Sequence, residues 1–310
     1  CTACPNGFVC TQGAKARHFP LLGTGSNGTA SAYPVVEYGY MTLAGKPLTA
    51  YLCNEKEHCP GGAPGTCAAF RDSSKVACGE CQDGAYESGT ECKECGGTDF
   101  LPLVIVVVSA LFLVFLFVRF FNGNILMKSS RVLLMSILCG LIMTSMQTLT
   151  VFRQMGVNWT SPFQAILSTL SFITFDLEVV RLGCLLGPSP VQGYLLRQCV
   201  APVGTITLLI LLRVKKFFLP KMKLQNEFIN TTGTLFNVFF ISIVVSAVAP
   251  HVCYEHPGDA GRSVISDPSI LCDYRGKHMS VVVIGCIATL CVPAPFLGLV
   301  AYGVLQYPSV

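Results

Sequence analysis

The sequence predicts a small disulfide-rich ectodomain of loops and short β-hairpins, followed by an all-α polytopic membrane domain with five transmembrane helices and one amphipathic helix. The chain is 52% hydrophobic and only 12% charged, whereas soluble proteins carry about 25% charged residues. Ten of the 17 cysteines precede residue 100, and the long apolar runs all follow Phe100. We therefore expect a cysteine-rich extracellular domain at 1–99 and a multi-span membrane domain at 100–310.

The charge balance changes at the same boundary. Residues 1–100 contain seven Lys/Arg and ten Asp/Glu, and the remainder contains fourteen and seven. The chain has no initiating Met, so we expect either a processed protein or a fragment. Because Cys1 opens within a cysteine pattern, we favour a fragment. We expect the lipid bilayer and an extracellular ligand or protein as partners, and neither nucleic acid nor a cofactor.

The cysteine spacing of the head is compatible with two chemistries. The stretches CTACPNGFVC (1–10) and CGECQDGAYESGTECKEC (78–95) share C-x-x-C with a glycine three residues on. Paired C-x-x-C motifs can hold Zn²⁺ through four thiolates, usually with a gap of roughly 15 to 20 residues. Cys81 and Cys92 are closer than that. Disulfides suit a small module with little apolar core on the oxidising side of a membrane, and we favour them.

The expected disulfide cysteines of the head, and two glycosylation sites, can be named. The cysteines are Cys1, Cys4, Cys10, Cys53, Cys59, Cys67, Cys78, Cys81, Cys92 and Cys95. The acceptor motifs begin at Asn27 and Asn158, and both motifs would lie outside the cell.

A pattern of cysteine, glycine and tyrosine resembles a known repeat. Its residues, in the order C-x-x-C-x-x-G-x-Y-x5-C-x-x-C, are Cys78, Cys81, Gly84, Tyr86, Cys92 and Cys95. This order resembles the ephrin-receptor-like cysteine-rich repeat, and residues 1–10 resemble part of another. The resemblance implies a disulfide-bonded extracellular module, which in many protist proteins precedes a multi-span membrane region. Residues 11–77 depart from the repeat.

Five apolar runs approach the length of about 20 helical residues that crosses a bilayer. They lie at 101–118, 132–152, 199–214, 228–249 and 279–305. The third run is short, and it needs the aliphatic stems of the basic residues at its end to reach the membrane surface.

A further segment at 162–186 is predicted to be one amphipathic helix. Ser161 and Gln164 form a capping box, and Gly187-Pro188 ends the helix. Polar residues recur along it at steps of three and four opposite an apolar face. Such a helix can lie in the membrane interface, or it can span with its polar face turned inward.

Charge favours the interfacial position for this helix. In the five-span arrangement, the cytosolic loops 119–131 and 213–227 contain eight Lys/Arg, and the longer outer loops 153–198 and 250–278 contain six. Cytosolic loops are normally enriched in Lys and Arg. A sixth crossing would move RVKKFFLPKMK outside and the outer cysteines into the cytosol.

The five-span arrangement yields disulfide predictions for the outer loops and one candidate site. We expect Cys253 to pair with Cys272, and propose Cys184 with Cys199 as a weaker second pair. Asp176, Glu178 and Arg181 are the candidate outer-face site for a ligand, ion or partner. The alternative is that Glu178 and Arg181 form an ordinary helical ion pair at spacing three.

An enzyme is the class with least support. The sequence has no H-E-x-x-H, no G-x-S-x-G and no phosphate-binding glycine loop, and no set of histidines has metal-ligand spacing. Two hypotheses follow: a receptor-like or adhesive surface protein that recognises a ligand through its cysteine-rich head, or a subunit of an ion channel or transporter with a regulatory ectodomain.

Overall fold

The structure, a computed structural model, describes residues 4–10, 34–121, 138, 140–149, 181–187, 189–218 and 224–306. The chain divides into two compact units. The first unit joins the cysteine-rich residues Cys1–Asp99 to two later segments, Arg181–Gly193 and Ala249–Val282. The second unit consists of Phe100–Val180, Tyr194–Val248 and Val283–Val310.

Short antiparallel strand pairs form the framework of the first unit. The pairs are β1 (Phe8–Val9) with β2 (Val35–Val36), β3 (Tyr40–Leu43) with β4 (Lys46–Leu52), β5 (Ala85–Ser88) with β6 (Glu91–Glu94), and β7 (Cys253–Glu255) with β8 (Arg262–Val264). One-turn 3₁₀ helices lie at Lys56–His58, Val76–Cys78 and Ala249–His251. Two-stranded sheets are marginally stable alone in water, so this unit needs other stabilisation.

The apolar core of the first unit is small and contains much sulfur. Its main cluster consists of Met41, Tyr51, Cys53, Cys59, Val76, Ala77, Cys78 and Ala260. Three of these residues are disulfide cysteines. Because Ala260 comes from the segment Ala249–Val282, that segment completes the core and is an integral part of the folded head.

The remainder of the chain is helical where the structure describes it. The helices are α1 (Phe100–Phe121), α2 (Leu182–Leu186), α3 (Pro190–Phe218), α4 (Leu224–Val248), α5 (Gly276–Cys291) and α6 (Pro293–Gln306). Residues 138 and 140–149 are also helical. Within the described residues, three stretches are long and apolar enough to cross a bilayer: Pro190–Phe217, Glu227–His251 and Gly276–Gln306. The start of α1, Phe100–Ser109, is a shorter apolar helix.

Helices α3 and α4 pack as an antiparallel pair in the second unit. The buried Leu208 and Leu212 contact residues of α4 such as Phe228. Near one end the Tyr194 hydroxyl donates to the Ala247 carbonyl at 3.0 Å. Towards the other end Lys215 Nζ lies 3.0 Å from Glu227 Oε2.

Three helix boundaries differ from those expected from the sequence, and each has a local cause. Helix α3 begins well before residue 199, because the polar Tyr194 and Gln198 find acceptors on α4. The sequence predicted one continuous helix at 162–186, but a helix begins at Leu182, because Arg181 has a left-handed φ of 51°. Residues 162–180 lie outside the described part. The last span breaks between α5 and α6, where Pro293 supplies no backbone N–H.

Candidate functional site

Six disulfides hold the described part of the first unit together. The pairs are Cys4–Cys10, Cys53–Cys59, Cys67–Cys78, Cys81–Cys92, Cys95–Cys184 and Cys253–Cys272. The Cys253–Cys272 pair is the one predicted from the sequence. Cys1 lies outside the described residues.

The proposed pair of Cys184 with Cys199 is not present. Cys184 is bonded instead to Cys95, 89 positions earlier, and Cys199 is a free thiol within α3. Cys199 lies within Tyr194–Val248, so it belongs to the second unit. The Cys95–Cys184 bond therefore ties the segment after residue 180 to the cysteine-rich head.

Disulfide bonding also removes two apparent metal-ligand clusters of the described chain. Cys253 and Cys272 lie near His278, and Cys95 and Cys184 lie near Asp99. Thiolates are the sulfur ligands of metals, and these sulfurs are bonded to one another. His278 is engaged at both nitrogens, with Nδ1 accepting from Tyr274 N–H and Nε2 donating to the Pro250 carbonyl. Neither cluster has a metal-binding donor set while the disulfides are intact.

Arg181 is the described member of the candidate outer-face site. Its Nη1 lies 2.8 Å from Oδ1 of Asp99, which is 5% exposed. Its guanidinium also lies over the ring of Tyr86, 4.7 Å from the centroid. Asp176 and Glu178 lie outside the described residues. Arg181 therefore locks the segment after residue 180 onto the head and is not available as a free ligand-binding cation.

A second buried cation organises the interior of the head. Arg71 is 2% exposed, and its Nη2 lies 2.8 Å from Glu87 Oε1. The same nitrogen donates to Nε2 of the buried His58 at 2.7 Å. Burial, and then the neighbouring charge of Arg71, lower the pKa of His58 to about 4. Arg71 thus joins the strand β5 to the 3₁₀ helix that contains His58.

His256 attaches the segment Ala249–Val282 to the head. Its Nδ1 accepts a hydrogen bond from Leu52 N–H at 3.0 Å, which leaves the proton of the neutral ring on Nε2. Nε2 therefore donates to Ser263 Oγ at 2.7 Å. Burial lowers the pKa of His256 to about 4. A ring that donates to the serine cannot take its proton, so this pair is structural and is not a catalytic dyad.

Gly79 and Glu80 form another attachment point for the same segment. A Cβ on Gly79 would lie 2.6 Å from Ser269 N, so only glycine allows this close approach. Glu80 is 8% exposed and lies 3.1 Å from Lys75 Nζ and 3.5 Å from Lys277 Nζ. The hydrogen bond with Glu80 raises the pKa of Lys75.

An open groove of about 570 Å³ lies on the head between β6 and the turn at 68–70. Glu57, Glu91 and Glu94 line it with one ammonium, Lys93, so carboxylates predominate. Phe70 also lines the groove with 41% of its surface exposed, and its φ of 59° is unusual for an aromatic residue. The groove is therefore lined mainly by carboxylates and one partly exposed aromatic residue.

No family model, no curated protein and no solved structure matches the chain. The resemblance of residues 78–95 to an ephrin-receptor-like repeat therefore stays a prediction.

The sequence did not indicate the groove or the buried ion pairs, because both depend on contacts between distant segments. The pairs Arg71–Glu87 and Arg181–Asp99 join residues whose separations follow no motif. The excess of Asp and Glu over Lys and Arg in residues 1–100 is a general acidic signal that does not locate the groove. Asn27 and Asn158 lie outside the described residues.

Proposed function

We propose that this chain is a receptor-like or adhesive multi-pass surface protein that recognises an extracellular ligand or protein partner through its cysteine-rich head. The observation that carries the proposal is the assembly of three separate chain segments into one disulfide-bonded unit. Such a unit is suited to present a fixed surface, because its outer loops are held by covalent bonds and buried ion pairs.

The Cys95–Cys184 bond supports the five-span topology. Two bonded cysteines must be on the same side of a membrane, so the chain between them crosses an even number of times. Crossings at 101–118 and 132–152 satisfy this requirement, and a crossing by the helix at 162–186 would violate it. The Asp99–Arg181 ion pair imposes the same condition independently.

The later helices are compatible with the same topology. The antiparallel α3 and α4 start and finish on one side, and Ala249–Val282 then returns to the head. The stretch Gly276–Gln306 provides the fifth crossing. Disulfides form in oxidising compartments, so we place the head outside the cell, or in the lumen, with the protein in the plasma membrane or another secretory-pathway membrane.

The first test is the side on which residue 187 lies. An epitope between Gly187 and Pro188 should be stained on intact cells that express the full chain. A second epitope, between Lys221 and Met222, should be stained only after permeabilisation. Staining of the Gly187 epitope only in permeabilised cells would contradict both the topology and the head-loop assembly.

The second test asks whether the head has a binding partner. A photo-reactive amino acid replaces Leu48, which is 55% exposed on the head, in the full chain at the cell surface. We expect an adduct with an extracellular or cell-surface protein. The matched control replaces Leu290, which is 70% exposed on the apolar helix α5, and should yield lipid adducts.

The channel or transporter hypothesis predicts a different result. Purified full chain in proteoliposomes would then conduct ions or move a solute, and illumination at Leu48 would yield no protein adduct. That combination would replace the receptor-like proposal.

A further inference from the structure

The groove is bordered by β6, which pairs with β5 alone among the described strands. β5 and β6 are joined by Gly89 and Thr90, and Gly89 has a φ of 67°. A glycine with positive φ at the first of two turn positions is typical of a type II′ hairpin. In such a hairpin the residues that flank the turn, Ser88 and Glu91, exchange both backbone hydrogen bonds.

Alternation along the hairpin then identifies the backbone groups of β6 that do not bond to β5. Bonded pairs recur at every second position, and the bond from Cys95 N–H to the Gly84 carbonyl, 2.8 Å long, agrees with this phase. The backbone groups of Cys92 and Glu94 therefore point away from β5. Both residues line the groove, and among the described residues no third strand pairs with β6.

Charge selects what can pair with this edge. Glu57, Glu91 and Glu94 outnumber Lys93 around the groove, so an acidic strand would be repelled and a basic one attracted. Charged side chains on an edge strand prevent indiscriminate pairing. Here they leave one favourable class of partner, a strand that carries Arg or Lys.

Phe70 adds a preference within that class. Phe70 lines the groove with 41% of its surface exposed, and the bond from Gln82 N–H to the Phe70 carbonyl, 2.8 Å long, fixes its backbone. A guanidinium stacks on an aromatic ring more readily than an ammonium does. The groove therefore combines backbone pairing, carboxylates and an aromatic surface, all of which arginine-rich strands can use.

We propose that this groove binds an extended, arginine-containing segment of a partner protein as an additional strand on β6. The proposal rests on the receptor-like function and specifies the chemistry of its ligand. Strand addition gives affinity through the backbone, and the alternating side chains give specificity. Four residues of β6 provide about 13 Å of edge.

The probe is a fluorescent hexapeptide of alternating arginine and valine, measured with the full chain in nanodiscs of neutral lipid. We expect it to bind more tightly than the same peptide with glutamate for arginine. Methylation of alternate backbone nitrogens on the pairing edge should weaken binding, because it removes the donors. Equal binding of the methylated peptide would overturn strand addition, and equal binding of the acidic peptide would overturn the charge argument.

Matched variants locate the site. Glu91→Gln combined with Glu94→Gln should weaken binding of the basic peptide about tenfold. Glu37→Gln removes an exposed carboxylate that does not line the groove, and it should leave binding unchanged. Unchanged binding by the double variant would overturn the proposal.

A crosslinker in place of Phe70 tests the occupant on cells. An adduct with a partner's basic segment supports the proposal, whereas an adduct with a second copy of this chain would overturn it in favour of self-association. If the hexapeptide fails to bind while the Leu48 crosslinker still captures a surface protein, the groove proposal fails and the receptor-like function stands.

Discussion

The two units differ in how their apolar side chains are covered. In the head, the strands are two to seven residues long, and a core rich in cystine is supplemented by the buried Arg71 and His256. In the helical unit, large apolar side chains such as Leu299 and Leu305 are more than 70% exposed. Lipid can cover these side chains, and each helix satisfies most of its own backbone hydrogen bonds.

This contrast implies that the units respond differently to the same type of substitution. The head depends on particular covalent bonds, close approaches and buried charges, each made by a few atoms. The helices depend on length and apolarity, which many residues share. Matched substitutions, one in each unit, test this difference.

The largest effect is expected from the Cys95–Cys184 disulfide. Replacing both Cys95 and Cys184 by Ser should destabilise the head by about 2 to 5 kcal/mol, because the bond closes a long loop. The measurement is the protease sensitivity of the head across a denaturant series, on the full chain in detergent. The matched control is Cys199→Ser, a change to a free thiol in α3, which should leave the profile unchanged.

The same pair of variants decides between the two disulfide assignments. If Cys199→Ser weakened the head as much as the double replacement does, Cys184 would be bonded to Cys199 after all. Mass spectrometry of the non-reduced protein would identify the linked peptides directly.

The second-largest effect is the pH dependence that His256 gives to the stability of the head. The His256 pKa of about 4 in the folded head is below the ordinary value near 6.5. The unfolded chain therefore binds more protons between these values, so stability falls as pH decreases through this window. The expected loss is on the order of 3 kcal/mol for this residue. Hydrogen exchange at Leu52 N–H, corrected for intrinsic rates, measures it.

A variant separates His256 from His58, whose pKa is lowered into the same range. His256→Asn retains an acceptor for Leu52 N–H without titrating, so its head should lose less stability on acidification. An unchanged pH dependence in this variant would assign the effect to His58 or to carboxylates elsewhere. The window lies between pH 6.5 and about 4, so mildly acidic compartments reach only its upper part.

The sequence predicted the parts of the structure that depend on composition and local pattern. The cysteine-rich head and the apolar helices follow from the distribution of cysteine and hydrophobic residues along the chain. The Cys253–Cys272 pair could be predicted because the two residues close one short loop. Three of the expected spans are candidate spans in the described structure, and the complete set of five stays a prediction.

The remaining features depend on which distant residues meet, and local pattern carries no information about that. Cys184 could be assigned to a nearby cysteine from the sequence, but its partner comes from the head. Tyr194 and Gln198 interrupted the apolar run that marks α3, and only their partners on α4 explain why the helix includes them. Arg181 had an obvious helical partner in Glu178, but its described partner, Asp99, is far away in the chain.

A smaller effect is expected from glycine replacements. Gly79→Ala places a Cβ against the backbone of Ser269, and overpacking of this kind costs about 1 to 3 kcal/mol. Gly204→Ala in α3 meets open space and should be neutral or slightly stabilising, since alanine favours helices. The effect of Gly79→Ala is measured by protease sensitivity at 249–282. The effect of Gly204→Ala is measured by the unfolding midpoint of the helices. Equal tolerance at both positions would contradict the difference between the units.

The smallest effect distinguishes stacking from charge at Arg181. Arg181→Lys keeps a cation for Asp99 but loses the planar contact with Tyr86, so we expect a loss of about 0.5 to 1 kcal/mol. Lys215→Arg in the helical unit retains the ion pair with Glu227 and should have no effect. In the variant Tyr86→Leu, the change from Arg to Lys at position 181 should cost nothing further, as a double-mutant cycle would measure. If Arg181→Lys still lowers stability in the Tyr86→Leu variant, the guanidinium acts through its hydrogen bond to the buried Asp99 and not through stacking on Tyr86. The ion pair alone would then hold this segment on the head.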